Sequence, residues 1–134
     1  MNHAIKSLVL PKPHFLYSPA LVIGENIMLS GMVALVPSTG ELEQTDVAGQ
    51  TKRILKNLCA FLTEQNLQTS DVILARIYTT EFESFKQINQ VWEEIFNAVE
   101  VPPLRTSMGV SALPLGAKVE MEFMCRGGNN ELIK

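Results

Sequence analysis

Arg105 and Ser107 fall two residues apart in an alternating stretch, 105–110, in which Thr106, Met108 and Val110 take the other parity. Glu120 and Glu122 do the same in a stricter alternation, 118–126, where Val119, Met121, Phe123 and Cys125 take the apolar parity against Lys118, Met124 and Arg126. Side chains two apart on a strand share a face. If these two strands pair, a guanidinium and a carboxylate occupy one cleft. Spacing leaves two readings open. One is a cross-strand ion pair that stabilises the sheet. The other is a fixed cation for an anionic substrate with a carboxylate beside it as base. Arginine suits the first role because its planar fork meets a carboxylate with two parallel N–H donors.

Other chemistries find little support. His3 and His14 have no cysteine or carboxylate partner at ligand spacing, so they read as solvated side chains and no metal is expected. There is no nucleophile elbow, phosphate-cradling lysine loop or dinucleotide fingerprint. The methionines at 28, 32, 108, 121 and 124 read as packing. Ser30-Gly31 alone marks a strand end, and Tyr17 suits either a core aromatic with a wet tip or a pocket wall. The net charge is −3, without a cluster of Lys and Arg, which argues against a nucleic-acid surface.

The elements that must position these residues follow from pattern. Residues 1–13 form a lead-in arm, with Pro11 and Pro13 opposing regular structure. Residues 16–23 and 27–30 read as strands around a turn at Gly24, with a further strand piece at 32–36 closed by Pro37-Ser38-Thr39-Gly40. A helix begins at a cap, Thr45 or Asp46, and carries Val47, Ile54, Leu58, Phe61 and Leu62 as one stripe to a stop near Asn66. Residues 71–80 are apolar at both parities, the mark of a strand covered on both faces. A second helix, 84–97, carries Phe85, Ile88, Val91 or Trp92, and Ile95 or Phe96, before Pro102 and Pro103 return the chain to extended form.

The order is strand, strand, helix, strand, helix, strand, strand, in one domain spanning 1–134 with a flexible tail at 127–134. With 46% apolar residues the chain can bury a core. Two helices cover one face of such a sheet, and the other face must meet water or another subunit. Cys59 and Cys125 sit in apolar periodic segments and read as reduced core thiols. The apolar run Leu8-Val9-Leu10 is too short for a signal-peptide core or a membrane span, so a cytoplasmic protein is expected.

The run Pro103-Leu104-Arg105-Thr106-Ser107-Met108-Gly109-Val110, continued through Leu113-Pro114-Leu115-Gly116-Ala117-Lys118-Val119-Glu120-Met121-Glu122, resembles the C-terminal signature of the Rid/YjgF family, RidA subfamily. Ser30-Gly31 followed by Pro37-Ser38-Thr39-Gly40-Glu41-Leu42 resembles its N-terminal block, and Ile88-Asn89 fits a third. The likeness covers roughly residues 15–126. It implies an α+β, chorismate-mutase-like fold: a mixed β-sheet with two helices on one face, and a homotrimer formed through the other with sites between subunits. It implies a deaminase that hydrolyses 2-imino acids, such as 2-iminobutanoate and 2-iminopropanoate, to 2-oxo acids and ammonia without a cofactor. Carried over by position, Arg105 binds the substrate carboxylate and Glu120 activates water. Ser107 and Gly31 give backbone contacts; Tyr17, Ser30 and Asn89 line the cleft. The chain departs from the family at Phe15-Leu16, where Gly-Pro is common, at Met32, where glutamine is common, and at Ser107, often cysteine. The first two reshape the pocket wall.

Two further classes compete. A trimeric binding module for a small carboxylate would need Arg105 but not Glu120. A ribonuclease or translation inhibitor, a role also attached to the family, sits poorly with the acidic balance.

Overall fold

The computed structural model describes residues 2–127. Strands β1 (His3–Ala4), β2 (Ala20–Ile23) and β3 (Asn26–Leu29) are followed by helix α1 (Val47–Glu64), strand β4 (Val72–Thr79), helix α2 (Phe85–Phe96) and strands β5 (Leu104–Gly109) and β6 (Val119–Arg126). They form one mixed six-stranded sheet ordered β1-β2-β3-β6-β4-β5.

Helix α1 starts where the sequence places a cap. The Asp46 carboxylate accepts from the Gly49 N–H at 2.8 Å, satisfying a free donor of the first turn. The helix ends because Asn66 takes a left-handed backbone, φ 60°, which lets the Leu67 N–H bond back to the Leu62 carbonyl at 2.7 Å. Ile54, Leu55, Leu58, Phe61 and Leu62 are buried against Ile27, Val72, Ala75, Ile77, Met121 and Phe123 of the sheet. Each such side chain contributes about 1.5–3 kcal/mol by leaving water.

Strict alternation decides the sheet faces. Ala75, Ile77 and Thr79 pair in register with Phe123, Met121 and Val119, and this buried set faces the helices. Leu74, Arg76 and Tyr78 pair with Met124, Glu122 and Glu120 on the opposite, helix-free face, where they are half-buried. Both helices thus lie on one face, as expected.

Five expectations need correction. The last two strands do not pair: the crossover through α2 lays β5 parallel to β4, and β6 takes the other side of β4. The first long strand begins only at Ala20, because Pro19 has no N–H for the ladder and Tyr17 folds back to donate to the Phe15 carbonyl at 3.0 Å. Residues 32–36 make isolated bridges, Met32 to Met121 and Leu35 to Leu42, rather than a strand. The arm is partly regular, since His3 and Ala4 pair with Val22 and Leu21. It is also pinned to α1, with the Ser7 hydroxyl donating to Glu64 at 2.6 Å. Of the expected tail, Gly127 is buried and donates to the Glu25 carbonyl at 2.7 Å, and 128–134 lie outside the described residues. Among the described residues no helix is long and apolar enough to cross a membrane.

Candidate functional site

The fold divides the seven expected site residues into two groups. Tyr17, Ser30, Gly31 and Glu120 line a single hollow of about 260 Å³, together with His14, Phe15, Val33, Leu35, Pro114 and Leu115. Arg105 and Ser107 lie elsewhere, on the edge strand β5, and Asn89 lies on helix α2.

The first group comes together through backbone bonds. After β3 the chain bulges, and Met32 rejoins β6 by two bonds with Met121, 2.7 and 3.0 Å. The intervening Gly31 therefore lies beside Glu120. A Cβ at Gly31 would stand 2.5 Å from Glu120 Oε2 and 2.9 Å from its Cδ, so the position needs glycine for the carboxylate to rest there. Ser30 ties in the segment that carries Tyr17: its N–H donates to the Pro19 carbonyl at 2.9 Å and its hydroxyl to the Ser18 carbonyl at 2.6 Å. A second hollow, about 340 Å³, shares Gly31 and Glu120 and adds Tyr78, Leu113 and Glu122.

Burial governs the electrostatics here. Desolvation, with the nearby Glu122 charge adding to it, raises the Glu120 carboxyl above its ordinary range. Tyr78 donates to Glu122 at 2.5 Å, and that bond, with burial, raises the phenol as well. Glu120 is thus a carboxylate of enhanced basicity opening onto a hollow with a mainly apolar wall.

The second group is built differently. Arg105 pairs in register with Ala75, and Ser107 with Ile77, so both face the helices. The Arg105 guanidinium carbon lies 5.5 Å from the Phe85 ring centre and 5.3 Å from that of Trp92. Asn89 sits four residues after Phe85 and three before Trp92 on the same helical stripe. The rings desolvate the guanidinium and lower its pKa, while Glu93 opposes that shift. Among the described residues the ion pair is Arg53–Glu43 at 3.0 Å, and Arg105 joins none.

The cleft expected from pairing β5 with β6 is therefore overturned within one chain. Arg105 and Glu120 lie on opposite faces, with β4 between their strands. Neither reading by spacing survives in its simple form: they are not an ion pair, and one protomer does not join them.

Sequence reasoning missed several residues that shape both groups. Phe85 and Trp92 read as core and also hold Arg105. Gln50 and Asn57 are buried polar residues of α1. Gln50 accepts from the Lys118 N–H at 2.9 Å and donates to the Glu43 carbonyl at 3.1 Å; Asn57 donates to the Leu35 carbonyl at 2.8 Å. They thus pin the start of β6 and the Leu35 wall of the hollow. Amides within an apolar helical stripe were the available signal.

Residues 8–126 match the family model described as Endoribonuclease L-PSP. The chain is 35% identical to an Aquifex aeolicus "RutC family protein" over 90% of this chain and 95% of that one. It is 34% identical to the Arabidopsis thaliana "Reactive Intermediate Deaminase A, chloroplastic" over 79% of this chain and 56% of that one. Among solved structures it resembles E. coli TdcF, solved with bound serine, at a TM-score of 0.84 and 26% identity, covering 92% of this chain and 98% of that chain.

Proposed function

The chain belongs to the Rid/YjgF family, and on that premise we propose that it is a hydrolase that deaminates 2-imino acids to 2-oxo acids and ammonia. The active unit is a homotrimer whose sites lie between subunits. Arg105 and the β5 edge of one protomer clamp the substrate carboxylate, with Ser107 offering backbone and Asn89 lining the cleft. Glu120, Gly31, Ser30 and Tyr17 of the next protomer face the imine carbon. That the two groups stand apart in one chain supports this arrangement, since each is half of a site.

In the reaction, a protonated imine is already electrophilic, and this chain needs only to orient it and manage one proton. Water oxygen bonds to C2 as the C=N π pair moves onto nitrogen, and Glu120 takes the water proton. The protonated Glu120 then hands that proton to the amine of the carbinolamine. The C–N bond breaks, the hydroxyl oxygen closes the carbonyl, and its proton leaves with ammonia as ammonium. Glu120 returns to carboxylate. No metal or cofactor takes part.

The observation that carries the reading is Glu120 itself: a basic, half-buried carboxylate resting on Gly31, outside any ion pair among the described residues, at the mouth of a hollow. The plant relative's name points the same way. The test is a coupled assay in which threonine dehydratase or an amino-acid oxidase supplies imines. Faster oxo-acid and ammonia release with the protein than without it is expected; equal rates would refute deaminase activity.

The serine bound to TdcF favours a second reading, a trimer that binds a small amino or imino acid without turnover. Under it Arg105 remains essential and Glu120 does not. The ribonuclease role named for the family model is disfavoured by the net charge of −3 and by Glu120 and Glu122 at the hollows, which repel phosphate.

A further inference from the structure

We infer that a small chamber beside Gly31 holds the water that the reaction consumes and passes it to Glu120, with Asn57 as its positioning residue; the role in turnover rests on the deaminase reading above.

The chamber adjoins the hollow that holds Glu120. Tyr17, Ser30, Gly31, Val33 and Leu35 line both spaces and form their common wall. Leu10, Pro11 and Lys12 of the arm bound the chamber as well, and so does Asn57 of α1. Its volume is about 50 Å³. One water needs about 10–15 Å³ of such space, so a few waters fit and a 2-imino acid does not.

Asn57 is the observation that points to a ligand. It is 2% exposed and sits among the buried residues of the α1 stripe. Its amide nitrogen donates to the Leu35 carbonyl at 2.8 Å, and because a carbonyl only accepts, that bond fixes which way the amide points. Among the described residues no N–H or O–H donates to the remaining atom, Oδ1. Yet no buried side-chain oxygen among them lacks both a partner and accessible surface. The little surface that Asn57 keeps is therefore at Oδ1, and it opens on the chamber. Gln50, two turns earlier on the same helix, engages both ends of its amide with protein groups. A buried acceptor without a donor is costly, so Oδ1 calls for a small donor. A water there has further partners within the same wall. Ser30 donates its own hydrogen to the Ser18 carbonyl, and its oxygen can still accept.

The chamber answers a need of the reaction. Each turnover consumes one water. A substrate clamped by Arg105 of the neighbouring protomer stands between bulk solvent and Glu120, so replacement water must come from the protein side. Water held at Asn57 Oδ1 passes Gly31, which has no side chain to block it, and is renewed from solvent beside the exposed Lys12.

The direct test is a crystal structure with 2-oxobutanoate bound. An ordered water within hydrogen-bond distance of Asn57 Oδ1 is expected, and a dry chamber overturns the inference. Leu10→Phe fills the chamber from the arm and alters no residue that lines the reaction hollow. In the coupled assay its kcat should fall about tenfold, with KM, the Kd for 2-oxobutanoate and the melting temperature unchanged. Unchanged kcat overturns the inference, and so does a fall shared by the Kd and the melting temperature, which makes Leu10 a structural contact. Asn57→Asp and Asn57→Leu both lose the bond to Leu35 and should both melt lower, but only the leucine also loses the chamber's acceptor. The leucine variant alone should therefore lose kcat; an equal loss in both makes Asn57 merely structural. Ammonia is the other small donor that suits Oδ1. Inhibition by ammonium chloride that sodium chloride does not cause and Leu10→Phe abolishes would make the chamber a product exit and overturn its assignment to water. No acceleration of any imine would sink the parent reading, and the role in turnover with it, while the bound water stands or falls by the crystal structure alone.

Discussion

The hollow around Glu120 and the edge around Arg105 hold opposite charges by opposite means. Glu120 is made basic by burial and a neighbouring like charge. Arg105 is placed against two aromatic rings, which leave its charge unneutralised. A carboxylate that must take a proton gains from desolvation, whereas a guanidinium that must grip an anion gains from a fixed orientation. The difference teaches that the two are prepared for different tasks, and that each lacks its counterpart within one chain.

The sharpest way to break this comparison is at the base. Glu120→Gln should lower kcat by about 10²–10⁴ and leave the Kd for a 2-oxo acid nearly unchanged. Unimpaired turnover, measured in the coupled assay, would favour binding without catalysis. Gly31→Ala should cost about 10² in kcat at little cost in melting temperature, because the new Cβ displaces only the tip of Glu120. Arg105→Ala and Arg105→Lys should each raise KM about 10–100-fold, since one charge-assisted contact is worth about 1.5–3 kcal/mol and lysine cannot form the fork. Full activity of Arg105→Lys would disprove two-pronged binding.

Mixing tests whether the halves belong to different protomers. Arg105→Ala and Glu120→Gln chains, refolded together in equal amounts, should recover up to about a quarter of wild-type activity, because that fraction of subunit contacts pairs an intact arginine with an intact glutamate. No recovery, or sedimentation as a stable monomer, would remove the shared site. The smallest effect is on pH. With its pKa raised, Glu120 is protonated at a higher pH than an ordinary glutamate, so kcat/KM should fall on its acid side above the usual carboxylate range. Glu122→Gln removes a neighbouring negative charge and should move that limb to lower pH; an unmoved limb would deny the coupling.

Much of the architecture was legible because local signals and burial agree. Asp46 caps α1, Asn66 ends it, and the strict alternation at 119–125 sorts β6 into a helix-facing and an open side. The site was legible only in part. Tyr17, Ser30, Gly31 and Glu120 do converge on one hollow. Arg105 does not join them, because alternation states which parity a residue has, not which strand lies beside it. Phe15 was expected in the pocket wall, but Leu115 was not singled out, because the hollow it lines is assembled from three distant segments.

The amino-acid order alone settled both helices, the strands at 72–79, 104–109 and 119–126, the two-helix cover and the family, since each depends on contacts a few residues apart or on a continuous motif. The three-dimensional arrangement alone settled that β4 separates β5 from β6, that the guanidinium and the carboxylate face away from each other, and that Gly31 makes room for Glu120. Those outcomes depend on which strands become neighbours. That choice is made by how the α2 crossover packs on the sheet, a long-range balance of burial that no local pattern encodes.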